Sequence, residues 1–152
     1  MKIFDCFMYF DEEIVLDIRL NMLNPVVDYF VIVESKFTHK GDKRNLKFDI
    51  NKFTEFKDKI IYLIFDEEPR DIESLLDKDV EDEKTRKLIL NAARRENSQR
   101  NFIMKGLENA NNNDLILISD VDEIPNLEKI NFKNIKNQII LFKQDMFYYK
   151  LN

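Results

Sequence analysis

The chain has 152 residues, 44% hydrophobic and 35% charged, with a net charge of −5 and a pI near 5.0. That is the composition of one ordinary globular domain, and it excludes a disordered or fibrous chain. No basic block of the kind a nucleic-acid partner requires is present, and no apolar run approaches the roughly 20 residues of a membrane span, so the expectation is a soluble, cytoplasmic protein.

IFDCFMYF (3–10) reads as a buried strand. Asp5 breaks its apolar run too early for a signal peptide. Cys6 is the only cysteine, which excludes an intramolecular disulfide and leaves it as a small core residue. EEIVLDIRLNML (12–23) has Ile14, Ile18 and Met22 at helical spacing and stops before Pro25. DYFVIVE (28–34), β-branched and aromatic, is a second strand. An irregular basic stretch, SKFTHKGDKRNLKF, follows. Next come a short helix in NKFTEFKDK and a third strand in IIYLIFDE (60–67). Residues 69–85 are polar and acidic, a mobile surface excursion. A long helix runs from about Arg86 to Ala110, DLILISD (114–120) is a fourth strand, NLEKI a helical turn, and QIILFKQDMFYYKLN a final extended segment.

Alternation of apolar strands with helical patterns predicts an α/β fold, a mostly parallel sheet with helices on both faces. In such sheets ligands collect beyond the carboxyl ends of the strands. That rule gathers Glu34, Asp66 to Glu68, and Asp120 to Glu123 at one acidic rim.

Gly41 and Gly106 are the only glycines, so the chain has neither a G-x-x-x-x-G-K-[ST] loop nor a G-x-G-x-x-G turn. A phosphorylated ligand would need another means of capture. Asp120-Val121-Asp122 supplies one. In extended backbone, side chains at i and i+2 point the same way, so both carboxylates can meet one cation while Val121 faces the core. All-oxygen ligands favour Mg²⁺ or Mn²⁺ over Zn²⁺, and Mg²⁺ commonly shares its coordination between carboxylates and substrate phosphates.

On the long helix, Ile89, Ala92, Ala93, Ile103 and Leu107 fall on one stripe. Glu96 and Arg100 sit in the middle of it, spaced i, i+4 with the acid first. They either tie helix to sheet or face the ligand and orient Asp120. His39, the only histidine, reads as a surface residue. Lys36, Lys40, Lys43 and Arg44 read as a solvated face, and Phe147, Tyr148 and Tyr149 as packing residues.

Taken in order, DCFMYF, LDIRLNML, VVDYFVIVES, FKDKIIYL, RRENSQRN and ISDVDEIP resemble glycosyltransferase family 17. This is the β-1,4-N-acetylglucosaminyltransferase family that includes the enzymes adding bisecting GlcNAc to N-glycans. The likeness runs from Lys2 to about Asn152. It implies a single GT-A-like nucleotide-sugar-binding domain over 1–152. It also implies inverting transfer from a UDP-sugar donor, UDP-GlcNAc in characterised members, to a hydroxyl of a carbohydrate acceptor. By the same resemblance Asp122 ligates Mn²⁺ or Mg²⁺ directly, and Asp120 reaches the metal or the ribose. Glu96 and Arg100 match the R-E-x-x-Q-R pattern and join the nucleotide-sugar site. Glu34 matches the acid beside the uridine.

Ala93 and Ser98 stand where the family usually has aromatics, and Asn45 stands in a proline position. Family members generally continue past the segment resembling FYYKLN, and that later part would supply the acceptor site and the general base. The chain therefore reads as the N-terminal donor-binding part, and no catalytic base is assigned. Two alternatives remain open: a non-catalytic sugar-nucleotide-binding module, and a Mg²⁺-dependent phosphohydrolase. Ile124 and the fourth-strand position of the motif disfavour the phosphohydrolase. An unpaired final strand would invite a homodimer.

Overall fold

The protein is described by a computed structural model covering residues 1–132 and 139–145. Strand β1 is Ile3–Tyr9, helix α1 Glu13–Leu23, β2 Tyr29–Ser35, β3 Ile60–Phe65, α2 Glu81–Asn101 and β4 Leu115–Ile118. The four strands form one sheet of order β3-β2-β1-β4, with every pair parallel. Cys6 of β1 lies opposite Val31 of β2 and Ile118 of β4.

Strand alternation then divides the core into two layers. Ile3, Phe7 and Tyr9 of β1 and Phe30 and Ile32 of β2 pack with Leu16, Leu20 and Leu23 of α1. Phe4, Cys6, Val31 and Val33 point the other way, onto Ile103 and Phe65. The central strands β1 and β2 thus bury both faces, as the middle of a parallel α/β sheet requires, while Ile64 of β3 and Ile116 and Ile118 of β4 stay exposed at the edges. The fold class expected from the sequence is present. Cys6 is fully buried, and burial raises its thiol pKa far above the ordinary range, as suits a core residue. Among the described residues, no helix is long and apolar enough to cross a membrane.

Several local expectations are corrected. In α1 the stripe Ile14, Ile18, Met22 faces water, Ile14 being 78% exposed. The buried face is Leu16, Arg19, Leu20 and Leu23, an i, i+3, i+4, i+7 set with a charge inside it. NKFTEFKDK forms two 3₁₀ turns, Ile50–Lys52 and Thr54–Phe56, that drive Phe53 and Phe56 into the core. Helix α2 begins at Glu81, where Glu81, Asp82 and Glu83 complement the positive end of the helix.

Nor is the buried face of α2 apolar. Ile89 is 64% exposed, while Lys87, Asn91 and Gln99 are buried. Hydrogen bonds explain the inversion. Lys87 Nζ donates to Asp79 at 2.6 Å, Asn91 bonds the backbone of Glu73 through both ends of its amide, and Gln99 Nε2 donates to the carbonyl of Val33 at 3.0 Å. Residues 71–79, expected as a loose excursion, are thereby strapped along α2. Glu73 also pairs with Arg86 and Arg94, each at 2.9 Å. NLEKI closes as a turn through Ile130 N–H to Leu127 O at 3.1 Å, burying Leu127. Residues 139–145 carry no strand, and Phe147, Tyr148 and Tyr149 lie outside the described residues.

After α2 the chain tightens into the 3₁₀ segment Phe102–Leu107 and crosses the outer face of β2 and β3. Gly106 is what permits the approach: a Cβ there would lie 2.4 Å from Val31 Cγ1 and 3.3 Å from Leu63 Cδ1. Gly106→Ala is expected to lower stability by about 1–3 kcal/mol through overpacking, read as a lower urea midpoint. Val31→Ala in the same chain should return part of the loss. An unchanged midpoint in Gly106→Ala would show that the contact relaxes freely.

Candidate functional site

The chain leaves β1 toward β2 and β3, then crosses back to place β4 on the other side of β1. The carboxyl ends of β1 and β4 therefore flank a topological switch point, where the departing connections diverge and leave a crevice. A cavity of about 640 Å³ opens there. Met8, Tyr9 and Phe10 at the end of β1 line it, with Glu12 and Val15 of the α1 entry, Thr38, His39, Glu96, Gln99, and Asp120 to Asp122.

Strand β4 stops at Ile118, so the two aspartates are not on extended backbone as the sequence suggested. They sit in a turn, with Glu123 N–H donating to Asp120 O at 3.0 Å and Ile124 N–H to Asp122 O at 3.1 Å. The turn achieves what alternation was expected to do. Val121 is buried, while Asp120 and Asp122 are exposed and line the same cavity.

Their surroundings differ. Arg100 Nη2 donates to Asp120 Oδ1 at 3.0 Å and to Glu96 Oε1 at 3.2 Å, so the Glu96–Arg100 pair reaches across to hold Asp120. Burial opposes the charge on Arg100, but the hydrogen bonds to Asp120 and Glu96 outweigh it and raise its pKa. Asp122 has no partner among the described residues. Glu123 turns back to accept from the backbone N–H of Asp120 at 3.1 Å, bracing the turn.

Glu34 does not line the cavity. It is buried, and its oxygens accept from the N–H groups of Lys47 (2.7 Å) and Phe48 (3.1 Å) and from the Tyr62 hydroxyl (2.8 Å). Arg44 pairs with it at 2.9 Å. With its lone pairs so occupied, Glu34 anchors the 44–48 loop and stands behind the cavity lining, whereas the sequence placed it among the donor-binding residues. Arg44 likewise points inward. Its guanidinium lies 4.0 Å from the Phe10 ring centroid and donates to the carbonyls of Ser35 and Phe10, so it is no part of a solvated face. At the rim, Lys36 pairs with Asp66 and Arg95 with Glu68. Most rim acids are thus neutralised, and Asp122 stands out.

Most of the lining residues had no site role in the sequence, His39, Thr38, Gln99 and Tyr9 among them. His39 was read as a surface residue; it is exposed, but at the cavity wall. Thr38 flanks it in a turn closed by Gly41 N–H to Thr38 O, where Gly41 has φ +97° beside the Arg95 guanidinium. Gln99 was legible as the polar member of the R-E-x-x-Q-R run. Burial, and then the charge of Glu34, push the Tyr9 hydroxyl up to about 12. Tyr9 is therefore a neutral hydroxyl at physiological pH, able to donate a hydrogen bond.

The donor set of the turn fits a hard divalent cation: two carboxylates lining one cavity, one of them unpaired among the described residues, with His39 on the same cavity but outside the turn. Among the described residues no group of three His, Cys, Asp or Glu side chains could enclose a metal. Any ion would therefore be shared with ligand oxygens and water and not caged by protein.

Sheet order and parallel pairing define a Rossmann-like α/β domain with a cavity at its topological switch point. Its sequence matches the pattern of glycosyltransferase family 17 over residues 1–148, nearly its whole length. The chain belongs to that family and is a glycosyltransferase, with a sugar donor and an acceptor as its substrates. Comparison with curated proteins and with solved structures gives no match.

Proposed function

We propose that the protein is a metal-dependent, inverting glycosyltransferase of GT-A type, using a UDP-sugar, UDP-GlcNAc by family resemblance, to glycosylate a carbohydrate hydroxyl. The observation that carries this reading is the Asp122 carboxylate, unpaired among the described residues, beside Asp120 on the wall of a cavity between the carboxyl ends of β1 and β4. Asp122 and Asp120 would hold Mn²⁺ or Mg²⁺. A cation bound there supplies neutralisation of the charge developing on the leaving nucleoside diphosphate.

The remaining tasks fall to side chains of the chain itself. Arg100 holds Asp120 in place and adds a positive charge beside the donor. Glu96 fixes Arg100. Tyr9 and Gln99 line the same cavity, Gln99 held by its hydrogen bond to the carbonyl of Val33, and Phe10, half exposed and backed by Arg44, gives an aromatic edge to the mouth.

A thermal-shift comparison with UDP, UDP-GlcNAc and ADP, each with and without Mn²⁺, tests the proposal. At a hundredfold excess over Kd a ligand stabilises by about 2.7 kcal/mol, which for a chain of this size raises Tm by roughly 5–10 °C. The expected result is that increment from the uridine ligands with Mn²⁺ and little without it. Equal shifts with and without Mn²⁺ would refute the metal role, and no shift from any uridine ligand would refute the donor site.

A further inference from the structure

The turn bearing Asp120 and Asp122 stands on a buried cation. Arg19, fully buried in α1, sends Nε and Nη2 to the two carboxylate oxygens of Asp5 on β1, at 2.8 and 2.7 Å. Nη2 also donates to Ser119 Oγ at 2.7 Å. Nη1 reaches the carbonyls of Asp120 (2.7 Å), Val121 (3.1 Å) and Glu123 (3.2 Å). The Phe7 ring lies beneath, 4.5 Å from the guanidinium carbon. A guanidinium has five N–H donors in a rigid fork and no other side chain can span such a set. Here all five are spent on one carboxylate, one hydroxyl and three carbonyls of the turn, the two on Nη1 shared among those three. Ser119 completes the lattice by donating to Glu123 O at 3.0 Å.

Burying an ion pair is weak evidence for stability, since apolar residues of equal volume often do as well. The directed half of this network needs another account. Half of the contacts made by Arg19 go to backbone that carries no charge but whose conformation decides where the carboxylates of Asp120 and Asp122 point. Asp5 fixes the guanidinium, and the guanidinium fixes the turn. The turn has no regular strand pairing of its own beyond Ile118.

We propose that Arg19, oriented by Asp5, is the positioning residue of the cation and diphosphate site, holding the 119–123 turn in its ligand-ready shape from beneath. This rests on the donor-site reading given above, and Asp122→Ala serves as the control that separates the two. The tests are hydrogen–deuterium exchange of the unliganded protein and Mn²⁺ titration in the presence of UDP, on wild type, Arg19→Lys, Ser119→Ala and Asp122→Ala.

Lysine keeps the charge opposite Asp5 but has three donors on one atom, so it cannot serve carboxylate and turn together. In Arg19→Lys, amides of 119–124 should exchange on the order of tenfold faster, while those of β2 stay protected. Mn²⁺ affinity should fall by roughly ten- to a hundredfold, as when a partner supporting a ligand is lost. Ser119→Ala removes two links, to Arg19 and to Glu123 O, and leaves the rest of the lattice, so it should weaken Mn²⁺ binding by roughly three- to tenfold. It decides the matter if Arg19→Lys fails to fold.

Unchanged exchange at 119–124 in a folded Arg19→Lys, or Mn²⁺ binding equal to wild type in both variants, would overturn the proposal. A wild type that binds no Mn²⁺ with UDP, joined to faster exchange in Arg19→Lys, would remove the donor-site reading and leave the positioning role standing.

Discussion

Asp122→Ala is expected to abolish Mn²⁺-supported turnover, lowering kcat by at least roughly 10²–10³-fold, the usual loss when one preorganised electrostatic contact to the developing charge is removed. The two aspartates are not equivalent. Asp120 already has a cation, Arg100, at 3.0 Å, whereas Asp122 has no partner among the described residues. Three unlike phenotypes follow. Asp122→Ala loses metal affinity outright and leaves thermal stability nearly unchanged, because its carboxylate is exposed and makes no bond to the described residues. Asp120→Asn weakens the metal and also leaves Arg100 with Glu96 alone. Arg100→Ala has the opposite sign on binding: the competing cation leaves Asp120, so Mn²⁺ affinity rises while kcat falls through lost orientation. Titration of Mn²⁺ beside steady-state kinetics separates them. Tighter Mn²⁺ binding in Asp122→Ala, or weaker in Arg100→Ala, would contradict this assignment of roles.

The sheet was legible because near-continuous apolar strands alternate with helical patterns, the combination a covered parallel sheet requires. The acidic turn was legible because three carboxylates close behind an apolar strand require a counter-charge. Both helices misled. Apolar periodicity in α1 chose Ile14, Ile18 and Met22, while the chain buries Leu16, Leu20 and Leu23 with Arg19 among them. In α2 the buried stripe Lys87, Asn91, Gln99 is polar, and a hydrophobicity count cannot find a face held by hydrogen bonds. The signal for Arg19 was nonetheless present. Asp5 in the middle of a buried strand must have a partner, since an unpaired buried carboxylate is prohibitively unfavourable. The cation on the next helix, at i+3 among leucines at i, i+4 and i+7, is the residue that supplies it. Glu34 is the converse case. Its position at the end of β2 suggested ligand contact, but local donors at Lys47, Phe48, Tyr62 and Arg44 consume its oxygens first.

The second large effect concerns that pair. Asp5→Ala is expected to destabilise the protein by about 3–5 kcal/mol, the penalty for leaving a buried guanidinium without its carboxylate. Against a total stability of about 5–15 kcal/mol, the loss should lower Tm by roughly 10–15 °C. Arg19 cannot escape to water, since it is fully buried beneath the turn and against Phe7. Replacing both partners, Asp5→Leu with Arg19→Met, removes the stranded charge and should recover most of the stability, because apolar substitutes for a buried pair are often neutral or better. The carbonyls of Asp120, Val121 and Glu123 would still lack their donor. The double variant should therefore melt near wild type yet bind Mn²⁺ and UDP poorly. Stability and site geometry would then part company in one molecule. If the double variant melts as low as Asp5→Ala, the value of the network lies in satisfying those carbonyls. If it binds ligand like wild type, the turn holds its shape without the arginine.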